Sequence, residues 1–179
     1  MHGSDAPSAW IARWSHLVPA GAAVLDVACG AGRHMRWFHG RGHAVTGVDR
    51  AVEALADAAR FGDAVQADIE SGPWPFEGRQ FGAVVVTNYL WRPLLPRIVR
   101  SVAPGGVLLY ETFAAGNETV GKPSRPDFLL QPGELLRICG PLRVVAYEDG
   151  FLEAPARFVQ RLAAVHEQAA GASPARYAL

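Results

Sequence analysis

The chain predicts an α/β protein built on one Rossmann-like, doubly wound sheet of about seven strands, mostly parallel with an antiparallel final strand and with helices on both faces. Three observations carry that expectation. Apolar runs of strand length alternate with segments of helical periodicity. A glycine-rich turn follows the first of these runs directly, where a parallel sheet would send its first strand into a helix. The 179 residues, 50% of them hydrophobic, are enough for one well-packed core and too few for two.

Taken in order, Trp10, Ile11, Trp14, Leu17 and Val18 recur at helical spacing and predict an amphipathic opening helix, stopped by Pro19-Ala20-Gly21. Residues 1–20 are expected to pack on the domain or to lid it. Strand one is expected over 22–27, strand two over 44–48, and a short third strand over 64–67 after an alanine-rich helix over 51–61. Gly72, Pro73, Pro75 and Gly78 leave the next crossover without a regular helix. Residues 81–87 predict a central buried strand and 93–102 a helix with proline near its start. Pro104-Gly105-Gly106 reads as a turn into a strand over 107–112. A long Gly, Asn, Pro and Thr-rich connection over 114–126 precedes a short helix over 131–138, and strands over 142–147 and 158–165 complete the domain at about residue 167. The tail, 168–179, is expected to fray.

Seventeen basic residues balance seventeen acidic ones, so no broad field draws the chain to nucleic acid or to an anionic membrane. No apolar run approaches the ~18 residues of a membrane helix. Cys29 and Cys139 make neither a CxxC pair nor a disulfide framework, and the N-terminus lacks the order of a signal peptide, which predicts a reducing cytoplasm. The six histidines show no zinc spacing, so no metal is expected, and they read as surface or capping residues.

The chemistry concentrates at three strand ends. Asp26 ends strand one, Asp49 strand two, and Asp68 follows strand three; Ala28, Gly30 and Gly32 form the turn after Asp26. A lone glycine turn, or a lone Asp beside a helix start, has an ordinary structural explanation. Three acids at the carboxyl ends of successive parallel strands share one cause, because open sheets bind ligands there. The acidic surround suits a cationic ligand with an amino group and a ribose better than a pyrophosphate, and Met35 stands where a dinucleotide fingerprint has its third glycine. The reading from the residues is S-adenosylmethionine, with NAD as the rival.

These segments resemble class I S-adenosylmethionine-dependent methyltransferases. Residues 26–34, Asp-Val-Ala-Cys-Gly-Ala-Gly-Arg-His, are similar to the family's first motif, Val45-Thr46-Gly47-Val48-Asp49 to its ribose-binding strand end, and Ala67-Asp68-Ile69 to its adenine-contacting turn. Residues 81–86 and 108–110 resemble its fourth and fifth strands. Within the family, Glu111-Thr112-Phe113 and Asp127-Phe128-Leu129-Leu130 are similar to small bacterial methyltransferases of the tellurite-resistance type. The resemblance implies that S-adenosylmethionine is held by Asp26, Ala28, Gly30, Gly32, Asp49, Arg50, Asp68, Ile69 and Asn88, with S-adenosylhomocysteine as product.

On the acceptor side, Asn88 and Tyr89, leaving the end of strand four, and Glu111, at the end of strand five, are the expected catalytic residues. The segment lacks an NPPY-like sequence, which argues against exocyclic amines and glutamine amides. Arg92 is a candidate for an anionic substrate, and Asn117, Lys122, Ser124 and Arg125 for a loop folding over it. With one helix and one loop to recognise a substrate, a small molecule (a metabolite, thiol or metalloid oxyanion) is expected; the alternatives are a protein or RNA substrate, or a noncatalytic cofactor-binding module. The expected assembly is a monomer or homodimer.

Overall fold

The structure is a computed structural model that describes residues 6–168 and 175–179. Seven strands form one sheet in the order β3-β2-β1-β4-β5-β7-β6. They are β1 Val24–Val27, β2 Val45–Asp49, β3 Asp63–Gln66, β4 Phe81–Thr87, β5 Val102–Phe113, β6 Arg143–Glu153 and β7 Ala156–Val165. All neighbours from β3 through β5 pair in parallel, whereas β7 runs antiparallel between β5 and β6. The order turns back at β1 and β4, so the crevice for a ligand opens at their carboxyl ends.

Alternation along β4 divides the core. Ala83 and Val85 face the helices α1 (Ala9–Trp14), α2 (Arg33–His39) and α3 (Val52–Ala58), while Val84 and Val86 face α4 (Leu95–Arg100) and α5 (Glu134–Ile138). The helix-free crossover before β4 covers its face with side chains instead. Trp74 stands edge-on to Phe76 at 5.2 Å, and Phe76 edge-on to Phe81 at 5.7 Å. The opening helix packs on the sheet: Trp10 and Trp14 are buried, and the Trp10 indole N–H donates to the Leu162 carbonyl at 3.1 Å.

Two expectations change. β5 begins at Val102, because Pro104-Gly105-Gly106 is an irregularity within the strand, with β4 pairing shifting from Phe81↔Val102 to Ala83↔Val107. A side chain at Gly106 would lie 2.9 Å from the Gly82 carbonyl oxygen, so glycine permits the close approach. β6 continues to Glu153 because β7 pairs along its whole length, carrying the hairpin well past the expected end. The fraying expected of 168–179 falls partly on 169–174, outside the described residues; of the described end, Tyr177 packs under Arg143, with 5.4 Å from guanidinium to ring.

Candidate cofactor and acceptor site

β1 must turn within a few residues into α2, and the backbone does so through the left-handed region at Ala28 (φ +54°), Gly30 (+53°) and Gly32 (+78°). The two glycines serve different ends. A Cβ at Gly30 would meet nothing within 4 Å and would project into open space, whereas one at Gly32 would lie 2.8 Å from the Cα of Ala58. Gly30 therefore keeps the turn open, and Gly32 lets α3 close against it. Asp49 fastens the turn: its Oδ2 accepts the Gly30 N–H at 2.8 Å and its Oδ1 accepts the Ala51 N–H at 2.9 Å, ahead of α3.

Two clefts meet at Ala28. The larger, about 510 Å³, is lined by Gly30, Gly32, Arg33, His34, Thr87 and Asn88, among others. The smaller, about 150 Å³, is lined by Asp49, Arg50, Asp68, Ile69, Glu70 and Tyr89. Asp68 is exposed and closes its own turn, accepting the backbone N–H groups of Glu70 and Ser71 and the Ser71 hydroxyl. The Ser71 hydroxyl leads the interactions that hold its carboxyl below the usual range.

Asp26 is 1% exposed, and its Oδ2 has no hydrogen-bond partner. Burial pushes its pKa up to about 7, against the pull of Arg33. His34 Nδ1 lies 4.0 Å away. The Ser8 backbone N–H donates to His34 Nε2 at 3.1 Å, so that nitrogen is unprotonated and the ring proton sits on Nδ1, facing Asp26 and, at 3.5 Å, the Thr87 hydroxyl. Burial first, then the Arg33 charge, brings the His34 pKa down to about 3, so the ring is neutral. This corrects the surface or capping role expected of His34. The helical spacing of His34, Met35 and Phe38, all on the buried face of α2, was the available signal.

Asn88 also has a positive φ, +54°, and its N–H donates to the Glu111 carbonyl at 2.9 Å. This turn sends successive side chains apart: Asn88 lines the larger cleft and Tyr89 the smaller. The expected acceptor-side position of Tyr89 is thereby corrected to a position beside Asp49 and Asp68. The Tyr89 hydroxyl is buried without a partner, and burial, followed by the Glu70 and Asp68 charges, raises its pKa and keeps it a phenol. Glu111 is 1% exposed and accepts the Ser8 hydroxyl at 3.0 Å, with Arg157 and Arg161 each 3.5 Å from one of its oxygens.

Arg92 is not available to a substrate. Its guanidinium donates to both oxygens of Glu134 (2.8 and 3.0 Å) and to the carbonyls of Asp127 (2.8 Å) and Leu129 (2.9 Å), tying the long connection down. Asn117 is likewise a buried strut, donating to the Pro123 carbonyl and accepting the Phe158 N–H. Lys122 and Arg125 are exposed, and Arg125 pairs with Asp127 at 2.8 Å. Among the described residues, no group of three or more His, Cys, Asp or Glu side chains is gathered as a metal site requires, and no helix is long and apolar enough to cross a membrane.

Residues 24–106 match a family described as the methyltransferase domain. A malonyl-[acyl-carrier protein] O-methyltransferase of Enterobacter lignolyticus is 36% identical over 102 residues, which are 52% of this chain and 40% of that protein, so the chain spans less than half the length of this curated relative. The fold is similar to that of a TehB-like S-adenosylmethionine-dependent methyltransferase from Corynebacterium glutamicum, with a TM-score of 0.65 at 20% identity over 89% of this chain and 88% of the other. It is also similar to TehB from Haemophilus influenzae, with a TM-score of 0.68 at 19% identity over 93% of this chain and 63% of the other. Residues 24–106 thus resemble a methyltransferase domain, and the seven-stranded sheet has the Rossmann-like fold of the S-adenosylmethionine-dependent methyltransferases to which it is similar, the TehB-like ones among them.

Proposed function

We propose that this chain transfers a methyl group from S-adenosylmethionine to a small-molecule acceptor: a metabolite, a thiol or a metalloid oxyanion. The observation that carries the reading is the meeting of Asp26, Asp49, Asp68 and an open glycine turn where the strand order reverses. The buried, unpartnered Oδ2 of Asp26 fits the amino end of a cationic ligand, directly or through water. Asp49 has lone pairs to spare beyond its two backbone bonds and accepts the ribose hydroxyls. Asp68 and the Ile69 N–H read the adenine edge, Arg50 and Tyr89 flank the sugar and base, and Ala28, Gly30 and Asn88 lie along the methionine part. Gly32 contributes by letting α3 close beneath the turn.

The bound sulfonium supplies an electrophilic methyl group. The chain's share of catalysis is then to align the acceptor atom within about 3 to 3.5 Å and to exclude water. Asn88, in the lining of the larger cleft, orients the acceptor, and Glu111, paired in the sheet with Thr87 of that lining, places a charge behind it. Residues 21–167 make up the methyltransferase unit, with the described part of the opening segment, residues 6–20, packed on it, and the free, buried Cys29 and Cys139 support a reducing, cytoplasmic setting. A second reading, a carrier-borne acyl acceptor, is favoured by the relative named for malonyl-[acyl-carrier protein].

Calorimetry with S-adenosylmethionine, S-adenosylhomocysteine and NAD tests the cofactor, and a tritiated-methyl survey over thiols, malonate, selenite, tellurite, tRNA and cell extract tests the acceptor. Binding of both adenosyl ligands without NAD is expected, weakened about tenfold or more by Asp49→Ala through lost charge-assisted bonds. NAD binding, or an Asp49→Ala variant as tight as the parent, overturns the cofactor assignment. Transfer to macromolecules alone overturns the small acceptor.

A further inference from the structure

A separate cavity opens at the opposite end of the sheet. Its volume is about 330 Å³, and it lies where β4, β5 and β6 start and β7 ends. Four separate segments line it: the helix-free crossover with Trp74 and Phe76, the last turn of α4 with Arg97 and Arg100, Leu142 ahead of β6, and His166 after β7. Thr87 and Asn88 of the larger cleft stand at the other end of β4, roughly 20 Å away along its seven residues at ~3.3 Å each. A molecule held in this cavity is therefore out of reach of the transferred methyl group.

Its interior is apolar and its rim is basic. Trp74, Phe76 and Leu142 are buried, and the two rings stand edge-on. Arg79 lies over the Phe76 and Phe81 rings at 5.5 and 5.1 Å, and among the described residues neither its guanidinium nor that of Arg100 has a hydrogen-bond or ion-pair partner. The Arg97 guanidinium meets Glu77 at 3.7 Å with both side chains exposed, so three guanidiniums face one carboxylate. The carbonyls nearby are already taken. Arg97 O accepts the Ser101 hydroxyl at 2.9 Å, Arg100 O the Gln80 amide at 3.4 Å, and Val102 O the His166 Nδ1–H at 2.9 Å. Small-molecule sites, of about 300–1,000 Å³, combine an apolar and aromatic interior with a few charged or polar groups in this way.

We propose that this cavity is a second ligand site, separate from methyl transfer, for a small organic anion with a flat apolar body, an aromatic carboxylate. The ring lies against Trp74, Phe76 and Leu142, and the carboxylate is held at the rim by Arg79 and Arg100, whose planar forks match two oxygens. Arg97, partly answered by Glu77, adds to the positive field without a direct contact. At about 330 Å³ the cavity suits one fused ring system. Binding here requires neither S-adenosylmethionine nor a methyl acceptor.

The test is calorimetric titration of the full chain with sodium 2-naphthoate, with 2-naphthamide as the ring without the charge and sodium acetate as the charge without the ring. Each is run with and without saturating S-adenosylhomocysteine. Naphthoate should bind about tenfold or more tighter than either control, and equally well in both conditions. Because the rim charges are exposed, Arg100→Gln should weaken binding about two- to fivefold and Arg79→Gln/Arg100→Gln about tenfold. Glu77→Gln, which removes the opposing carboxylate, should tighten it about twofold. Thermal melts of these exposed-site variants within ~2 °C of the parent show that folding is intact. A parent that does not bind naphthoate, binding matched by the amide or by acetate, displacement by S-adenosylhomocysteine, or an Arg79→Gln/Arg100→Gln variant that binds as the parent does overturns the proposal. Failure of S-adenosylhomocysteine to bind would instead count against the cofactor reading, while the arginine variants still locate the naphthoate.

Discussion

The two glycines of the β1–α2 turn should be separable by experiment. Gly32→Ala places a side chain at φ +78° and drives its Cβ to 2.8 Å from the Ala58 Cα and 2.9 Å from its Cβ. The left-handed conformation costs about 1–2 kcal/mol for a non-glycine residue, and overpacking against a helix backbone about 1–3 kcal/mol more. A total near 3 kcal/mol lowers the melting temperature of a domain of this size by about 6–12 °C. Gly30→Ala at φ +53° meets no neighbour, so only the backbone strain applies, about 1 kcal/mol and 2–4 °C. Its new methyl group projects toward the cleft, however, and S-adenosylmethionine affinity should fall about tenfold or more. Thermal melts and calorimetry on both variants read these outcomes. Ala58→Gly should not rescue Gly32→Ala, because the closest contact is with backbone. The reasoning fails if Gly32→Ala melts within ~2 °C of the parent, or if Gly30→Ala is the less stable of the two.

The remaining predictions concern the buried pair and the helix cap. Asp26, faced by Arg33, Asp49 and His34, has a folded pKa raised from 3.8 to about 7, so its contribution is full below pH ~3.8 and is lost as pH rises through 7. His34 is depressed from 6.5 to about 3, so its contribution is full above pH ~6.5 and is lost as pH falls toward 3. The two slopes oppose over pH 4–6.5; urea midpoints should therefore rise with pH in Asp26→Asn and fall with pH in His34→Gln, and parental profiles in both would contradict the assignment. Ser8 caps α1 by accepting the Trp10 N–H at 3.2 Å and also donates to Glu111, so Ser8→Ala should cost about 1–2 kcal/mol in chemical unfolding while Ser8→Thr keeps most of it; an unchanged midpoint for Ser8→Ala would refute the cap.

The sheet was legible because its signals are local. Valine-rich runs with the right length, the glycine turn and the three acids sit in the elements they predict, since burial on both faces of a parallel strand leaves an apolar run that no distant partner alters. The roles of single polar residues were less legible because their partners come from elsewhere in the chain. Arg92 is claimed by Glu134 and two carbonyls more than thirty residues away. His34 is buried by the segment before α1, and Glu111 acquires its arginines from the antiparallel β7. Tyr89 faces the smaller cleft because of a positive φ at Asn88, a backbone setting that residue type permits but does not announce.

The contacts of Ser8 bear on what a minimal enzyme would be. Its amide donates to the His34 ring and its hydroxyl to the Glu111 carboxylate, two buried groups at the carboxyl ends of the parallel strands. A fragment trimmed to begin at β1, where the methyltransferase match begins, would keep every strand yet leave the buried His34 Nε2 and Glu111 carboxylate without their Ser8 partners. The segment from Ser8 through α1 therefore closes one side of the proposed site, and variants intended for assay should retain it.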